Sequence, residues 1–277
     1  MESAHHSGDG VTLSLLSAAL ALTSGSAIGL ILGLIGGGGS ILAVPLLVYV
    51  VGIPSPHAAI GTAAFAVALN AAAGLALHAR HARIRWPCAL VFSAAGVGGA
   101  LLGATAGKAM EGQRLLGLFG LVMIVVGVMM LRPKPRVAGT SVWLNRESAR
   151  RLLPRLVGLG AAVGLLSGFF GIGGGFLIVP ALMLAADMEV REATGASLVA
   201  VTAFGLSSAS SYAWSGLVDW PVAALLVSGG AVGAVVGTRA HTVLASKGRA
   251  LTRIFAVFVV AAGLYVSGRG LVVLEAT

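Results

Sequence analysis

The stretch that decides the fold is Gly29-Leu-Ile-Leu-Gly33-Leu-Ile-Gly36-Gly37-Gly38-Gly39-Ser40-Ile-Leu-Ala-Val-Pro45. It is apolar on both sides of the glycines, and the nearest charged residues in the chain are Asp9 and Arg80. Each glycine costs about 1 kcal/mol relative to alanine inside a helix, so this run predicts a break. At membrane depth, backbone groups freed by a break must find partners in protein, water or ligand. We therefore interpret Gly36–Ser40 as an interruption between two apolar segments.

The composition is that of a membrane protein. Of the 277 residues, 57% are hydrophobic and only 10% are charged, whereas a soluble domain carries about 25% charged residues. The mean hydropathy is +0.99. These values predict an all-α polytopic membrane protein. The net charge of +9 does not indicate a nucleic-acid partner, because the basic residues cluster between apolar segments, where they act as topology signals.

The chain repeats itself. A second glycine-rich stretch runs from Gly164 to Pro180, and its glycines and proline match those of the first stretch 135 positions earlier. Further along, Gly61, Trp86-Pro87, Gly96 and Gly103 match residues 134 positions on. Such an offset indicates a duplicated unit. The ten apolar segments that we assign are 11–35, 40–53, 57–79, 86–107, 115–131, 155–170, 175–187, 191–213, 220–240 and 251–268.

Five segments per copy is an odd number, so the two copies are expected to enter the membrane from opposite sides. If every segment crosses, fifteen of the 18 Lys and Arg residues fall on one side, which the positive-inside rule makes cytoplasmic. The sequence thus predicts two inverted repeats, 11–131 and 155–268, each with a broken or re-entrant helix at its glycine-rich motif. Residues 132–154 are expected to form a basic cytoplasmic linker, with both termini outside.

Interrupted helices at matching positions of inverted repeats are the best sequence indication of a transporter's central site. A half-helix starting at Ser40 or Gly175 would present free amides and the positive end of its dipole, which suits a small anion. Ser40 also fits as an N-cap. Hydroxyls that follow each break could donate to an oxyanion. The candidate substrate-binding residues are Gly36, Gly37, Gly38, Gly39, Ser40, Thr62, Gly171, Gly173, Gly174, Gly175, Thr194 and Ser197.

Alternative interpretations exist for these residues. Glycines in membrane helices also serve close packing, which we favour for Gly29, Gly33, Gly164 and Gly168. Serine and threonine hydroxyls in membrane helices often bond to their own backbone. Asn70 is interpreted as a residue that makes an interhelical hydrogen bond rather than a ligand contact.

Other functions were weighed for the whole chain. All nine Asp and Glu residues lie in loops or at segment ends, which favours a facilitator, or coupling through a weakly marked site, over a carboxylate-driven pump. The alternatives are a membrane enzyme, such as an intramembrane hydrolase, and a non-transporting scaffold. No Gly-x-Ser-x-Gly elbow and no His-Glu-x-x-His motif occurs, so we expect no enzyme, no metal and no cofactor. The expected partners are a small anionic substrate and membrane lipid, and a homo-oligomer is an open alternative.

The chain resembles the sulfite exporter TauE/SafE family from about residue 13 to residue 268. The resemblance lies in the two Gly-Gly-Gly…Pro motifs, the steps Gly61-Thr62-Ala63 and Gly195-Ala196-Ser197, the basic central loop and the two Trp-Pro endings. The first ending, Arg83-Ile-Arg85-Trp86-Pro87, lacks the glycine of the family pattern. The resemblance implies a plasma-membrane permease for a small sulfur-containing anion of the sulfite, sulfonate or sulfoacetate class.

Overall fold

Every regular element that the structure describes is helical. The structure is a computed structural model, and it describes residues 15–35, 37–78, 84–131, 146–171, 173–188, 190–244 and 248–275. The α-helices are α1 (Leu15–Ile35), α2 (Ala43–Leu46), α3 (Pro56–His78), α4 (Trp86–Ala109), α5 (Gly112–Leu131), α6 (Arg146–Phe170), α7 (Gly175–Ala186), α8 (Val190–Trp214), α9 (Trp220–Leu244) and α10 (Gly248–Glu275).

Seven described helices are long and apolar enough to cross a membrane, namely α1, α3, α4, α5, α6, α8 and α9. Gly39–Val51 and Gly175–Ala186 are apolar but shorter. Large apolar side chains such as Leu102, Leu121 and Val232 are more than half exposed on the outside of the bundle. An apolar outer surface on long apolar helices is what a lipid environment requires. The prediction of an all-α polytopic membrane protein is confirmed.

The first glycine-rich break differs in detail from the prediction. Helix α1 ends at Ile35, and a 3-10 turn, Gly37–Leu42, leads into the single α-turn α2 and a π-turn, Leu47–Val51. Ser40 lies inside the 3-10 turn, and the residue that precedes α2 is Leu42, which makes no side-chain capping bond. The prediction that Ser40 is the N-cap of a half-helix is therefore wrong. Pro45 lies in α2 and lacks an amide hydrogen, so it removes one backbone hydrogen bond from this segment.

The second break agrees with the prediction. Helix α6 ends at Phe170 and α7 begins at Gly175, with Gly174 as its N-cap residue in the left-handed conformation. Helix α7 has 12 residues and contains Pro180, as expected for a short helix that follows a break.

Two pairs of helices from opposite halves pack side by side. Helix α1 packs along α9, and α4 packs along α6. In both pairs a glycine approaches the neighbouring backbone so closely that a Cβ atom would overlap it. The pairs are Gly25 with Leu226 and Gly29 with Gly230 in α1 and α9, and Gly160 with Phe92 and Gly164 with Gly96 in α6 and α4. Residue numbers rise together along each pair, so both pairs run parallel.

The other two principal pairs run antiparallel. In α3 and α8, Gly61 lies against Tyr212 and Leu217, whereas Gly74 lies near Leu198. In α5 and α10, Gly120 lies against Gly263 and Ser267, and Gly127 lies against Val260. The α3–α8 pair also contacts both breaks, because α8 packs against α7 and the 3-10 turn while α3 packs against α2. The breaks are thus positioned by the central antiparallel pair.

The region assigned to the linker is partly helical. Residues 132–145 lie outside the described part of the chain, but α6 already begins at Arg146, nine residues before the predicted segment. Pro154 lies inside α6. The predictions for the first 14 residues and for Gly36 also fall outside the described residues.

Candidate functional site

The two breaks meet in the interior of the bundle. The 3-10 turn of the first break contacts α7, and α8 contacts both. A Cβ atom on Gly173 would lie 3.0 Å from Cγ1 of Val67 and 3.2 Å from Cγ1 of Val201. These valines are close to the middle of α3 and α8, respectively. Gly173 therefore lies near the middle of the two central helices.

The backbone of the second break has a conformation that favours glycine. Gly171, Gly173 and Gly174 have φ angles of +63°, +68° and +66°. Other residues adopt this left-handed region at a cost of about 1–2 kcal/mol. A Cβ atom on Gly171 would also overlap the Ile60 side chain. Three positive φ angles within four residues explain why the segment between α6 and α7 is rich in glycine.

The start of α7 presents amides rather than side chains. The first backbone bonds of this helix are donated by Leu177 and Ile178, both to the carbonyl oxygen of Gly174, over 2.9 and 3.0 Å. Gly175 and Phe176 come before these two donors in the chain, and the first amides of a helix have no partner within the helix. They lie at the positive end of the helix dipole, which favours an anion.

Ser167 is a residue of this site that the sequence analysis missed. Its side chain is only 1% exposed, and its hydroxyl has no hydrogen-bond partner. The Oγ atom lies 3.0 Å from the position that a Cβ atom would occupy on Gly174. A sequence signal was available, because Ser167 is a polar residue about two turns before the start of α7, at the position matched by Leu32 in the first half.

The first break contributes backbone and one hydroxyl. Gly37, Gly38 and Gly39 lie in the 3-10 turn, and Gly39 packs against α1 beside the carbonyl oxygen of Ile28. Ser40 is fully buried and makes polar contacts. This half of the site thus differs from the second half, where a regular helix begins directly after the glycines.

Two of the predicted hydroxyls are bonded to backbone. The amide of Asp219 donates to Oγ1 of Thr62 over 2.9 Å, which ties α3 to the start of α9. Ser197 donates to the carbonyl oxygen of Thr194, one turn earlier in α8, over 2.8 Å. Both side chains are fully buried. Asn70 is buried against Gly230 of α9, but its Oδ1 has no hydrogen-bond partner, so the interhelical hydrogen bond predicted for this residue is not seen at that atom.

Charge is nearly excluded from the described interior. Among the described residues, the buried charged side chain is Arg85, whose Nε lies 3.1 Å from Oε2 of Glu192 at the start of α8. At the other end of α8, Nζ of Lys108 donates to the carbonyl oxygen of Ser211 and to Oγ of Ser215, both over 2.9 Å. Within the described ranges, no cluster of three His, Cys, Asp or Glu residues is placed to hold a metal ion.

Comparison with known proteins gives matches along most of the chain. Residues 21–266 match the protein family described as "Sulfite exporter TauE/SafE". A probable membrane transporter protein of Xylella fastidiosa is 43% identical over 257 residues, which cover 93% of this chain and 97% of that protein. The probable membrane transporter protein YdhB of Bacillus subtilis is 28% identical over 218 residues, which cover 76% and 85% of the two chains. No solved structure matches the chain significantly.

Proposed function

This chain is a membrane transporter of the TauE/SafE sulfite exporter family, and from that premise we propose that it moves a small sulfur-containing anion across the plasma membrane. The substrate class is that of sulfite, sulfonates and sulfoacetate. The anion occupies a central site between the two glycine-rich breaks, Gly36–Ser40 and Gly171–Gly175. The observation that carries this proposal is the contact between α7, which begins at Gly175, and the 3-10 turn of the first break.

The proposed site binds its anion with backbone amides. The amides of Gly175 and Phe176 and the positive end of α7 supply the favourable potential, and no cationic side chain is needed. Burial strengthens these contacts, because dipoles act more strongly in a low-dielectric interior than in water. Because the sequence places no carboxylate in the middle of a segment, we infer a facilitator, or coupling through a weakly marked site, rather than a carboxylate-driven pump.

The proposed architecture is a pair of inverted repeats. It is supported by the matched contacts of α1 with α9 and of α6 with α4, which involve residues 135 and 134 positions apart in the two halves. It is also supported by the parallel direction of these pairs and the antiparallel direction of α3 and α8. The distribution of Lys and Arg then places 132–154 in the cytoplasm and both termini outside.

Transport by purified protein tests the proposal. Proteoliposomes are loaded with unlabelled sulfite, methanesulfonate or sulfoacetate, and uptake of the labelled anion by exchange is followed against empty vesicles. We expect exchange well above the vesicle background for at least one of the three anions. Background exchange for sulfite, sulfonates and sulfoacetate alike would refute the function.

A pair of glycine variants localises the site. Gly173→Ala adds a methyl group between Val67 and Val201, and we expect it to abolish exchange. Gly52→Ala is the matched control, because Gly52 has a φ of +82° and nothing lies within 4 Å of its Cβ position. Both variants carry the same backbone strain of about 1–2 kcal/mol, but only one adds a group to the break. Equal exchange by both variants, at equal amounts of folded protein, would exclude the break as the site.

A further inference from the structure

We propose that Ser167 is a substrate-binding residue and that, with the amides of Gly175 and Phe176, it forms an uncharged site selective for monovalent oxyanions. Hydrogensulfite and alkanesulfonates such as methanesulfonate fit this class, whereas the dianions sulfite, sulfate and sulfoacetate do not. Within the proposed substrate class, sulfoacetate is therefore excluded. The inference rests on the proposed function and specifies the charge of its substrate.

The first observation is the position and isolation of the Ser167 hydroxyl. A hydroxyl buried without a partner costs free energy, so such groups in native proteins require an explanation. This hydroxyl lies in the last turn of α6, beside the residue that caps α7. A ligand at the start of α7 would accept its hydrogen. The hydroxyl and two helix-terminal amides together offer three donors to the oxygens of an S–O group.

The second observation is the charge around the site. Within the described part of the chain, the buried guanidinium of Arg85 is already paired with Glu192. That pair lies near the start of α8, where Ile84 packs against Gly195, and not at its middle beside Gly173. Lys108 contacts Ser211 and Ser215 at the opposite end of α8. The donors that face the break are therefore neutral dipoles.

Neutral donors discriminate by charge. The Born cost of removing an ion from water rises with the square of its charge, so a dianion costs about four times as much to dehydrate as a monoanion of equal size. The attraction of fixed dipoles rises only in proportion to charge, about twofold. A site without a cation thus compensates the dehydration of a monoanion far better than that of a dianion.

The first test uses the wild-type protein in exchange assays with equal pH on both sides of the vesicle membrane. Methanesulfonate stays monovalent between pH 6 and 8, sulfate stays divalent, and sulfite changes from mostly monovalent to mostly divalent. We expect methanesulfonate exchange to be independent of pH, sulfite exchange to fall as pH rises, and sulfate exchange to stay at background. Sulfate exchange equal to that of methanesulfonate, or sulfite exchange that rises with pH, would overturn the proposal.

The second test uses variants of the serine. Ser167→Ala is expected to raise KM for the transported anion about tenfold or more, because a hydrogen bond to a charged group is lost. Ser167→Thr keeps the hydroxyl and is expected to stay within about threefold of the wild-type KM. Ser93→Ala is the control, since Ser93 of α4 also has a buried hydroxyl without a partner, and its KM should not change.

The outcomes separate this inference from the proposed function. A wild-type KM for Ser167→Ala, or an equal increase for Ser93→Ala, overturns the inference while anion transport stands. If the wild-type protein exchanges no anion, the proposed function fails and this inference with it. If Ser167→Ala does not fold, the pH dependence of the wild-type protein alone decides.

Discussion

The backbone amide of Asp219 donates a hydrogen bond to the hydroxyl of Thr62, 2.9 Å away. The bond joins α3 to the residue before α9, so it links the two halves of the chain at the end of the central helix pair. Thr62 is fully buried. Its side chain thus contributes to the packing of the bundle whether or not substrate is bound.

We predict that Thr62→Val lowers the stability of the protein by about 1–3 kcal/mol, because the amide of Asp219 loses its acceptor in a partly buried setting. Thermal unfolding in detergent measures the change. Thr62→Ser retains the acceptor and should unfold close to the wild-type temperature. An unchanged melting temperature for Thr62→Val together with an increased KM would instead indicate that Thr62 contacts the substrate.

The parallel pair α4–α6 provides a prediction with a control in the same helix. A Cβ atom on Gly164 would overlap the backbone of Gly96, whereas nothing lies within 4 Å of the Cβ position of Gly158. We expect Gly164→Ala to lower the melting temperature by several degrees, because backbones in close contact cannot accept a methyl group without moving apart. Gly158→Ala should leave it unchanged or raise it, since alanine is the better helix former. Equal melting temperatures would contradict the observed packing.

The ion pair between Arg85 and Glu192 joins the start of α4 to the first turn of α8. Removal of one partner from a buried pair costs about 3–5 kcal/mol, because the other charge is left uncompensated. We predict that Glu192→Gln and Arg85→Met each destabilise the protein, and that the double variant is less destabilised than the sum of the two. A double-mutant cycle on unfolding free energies measures the coupling. Additive effects would show that the pair contributes no interaction energy.

Lys108 at the end of α4 binds the end of α8 through Ser211 and Ser215, and its Nζ lies 5.7 Å from the centre of the Tyr212 ring. We predict that Lys108→Met lowers stability by about 1 kcal/mol, a modest loss because part of this contact is open to solvent. Ser215→Ala should lower it less, since the carbonyl oxygen of Ser211 remains as acceptor. A larger loss for the serine variant would contradict this assignment.

Hydropathy and glycine spacing predicted the helices but not their partners. The start of α7 at Gly175 was predicted because four glycines among residues 171–175 disfavour a continuous helix. Ser40 was misassigned as an N-cap because a 3-10 turn and an α-helix that begins with a capping residue share the same local sequence signal. The start of α6 at Arg146 was missed because a charged helical extension has no hydropathy signal.

The features that the sequence did not predict depend on long-range contacts. Arg85 was interpreted only as a topology signal, and its ion pair with Glu192 spans 107 positions of sequence. The hydrogen bond from the amide of Asp219 to the hydroxyl of Thr62 joins residues that are 157 positions apart in the sequence. Ser167 had a sequence signal, a polar residue at the position matched by Leu32, but the absence of a hydrogen-bond partner for its hydroxyl is visible only in the structure. Each of these contacts depends on the arrangement of helices, which one sequence does not specify.

The packing of α1 against α9 and of α4 against α6 has a consequence for biosynthesis. When α5 has been inserted, the glycine faces of α1 and α4 are still uncovered, because α9 and α6 have not been translated. The first five segments must therefore remain loosely associated in the membrane until the second half arrives. Protein expressed as two fragments divided between residues 132 and 145 should thus mature only when both fragments are made together, and either fragment alone becomes a substrate for membrane proteases.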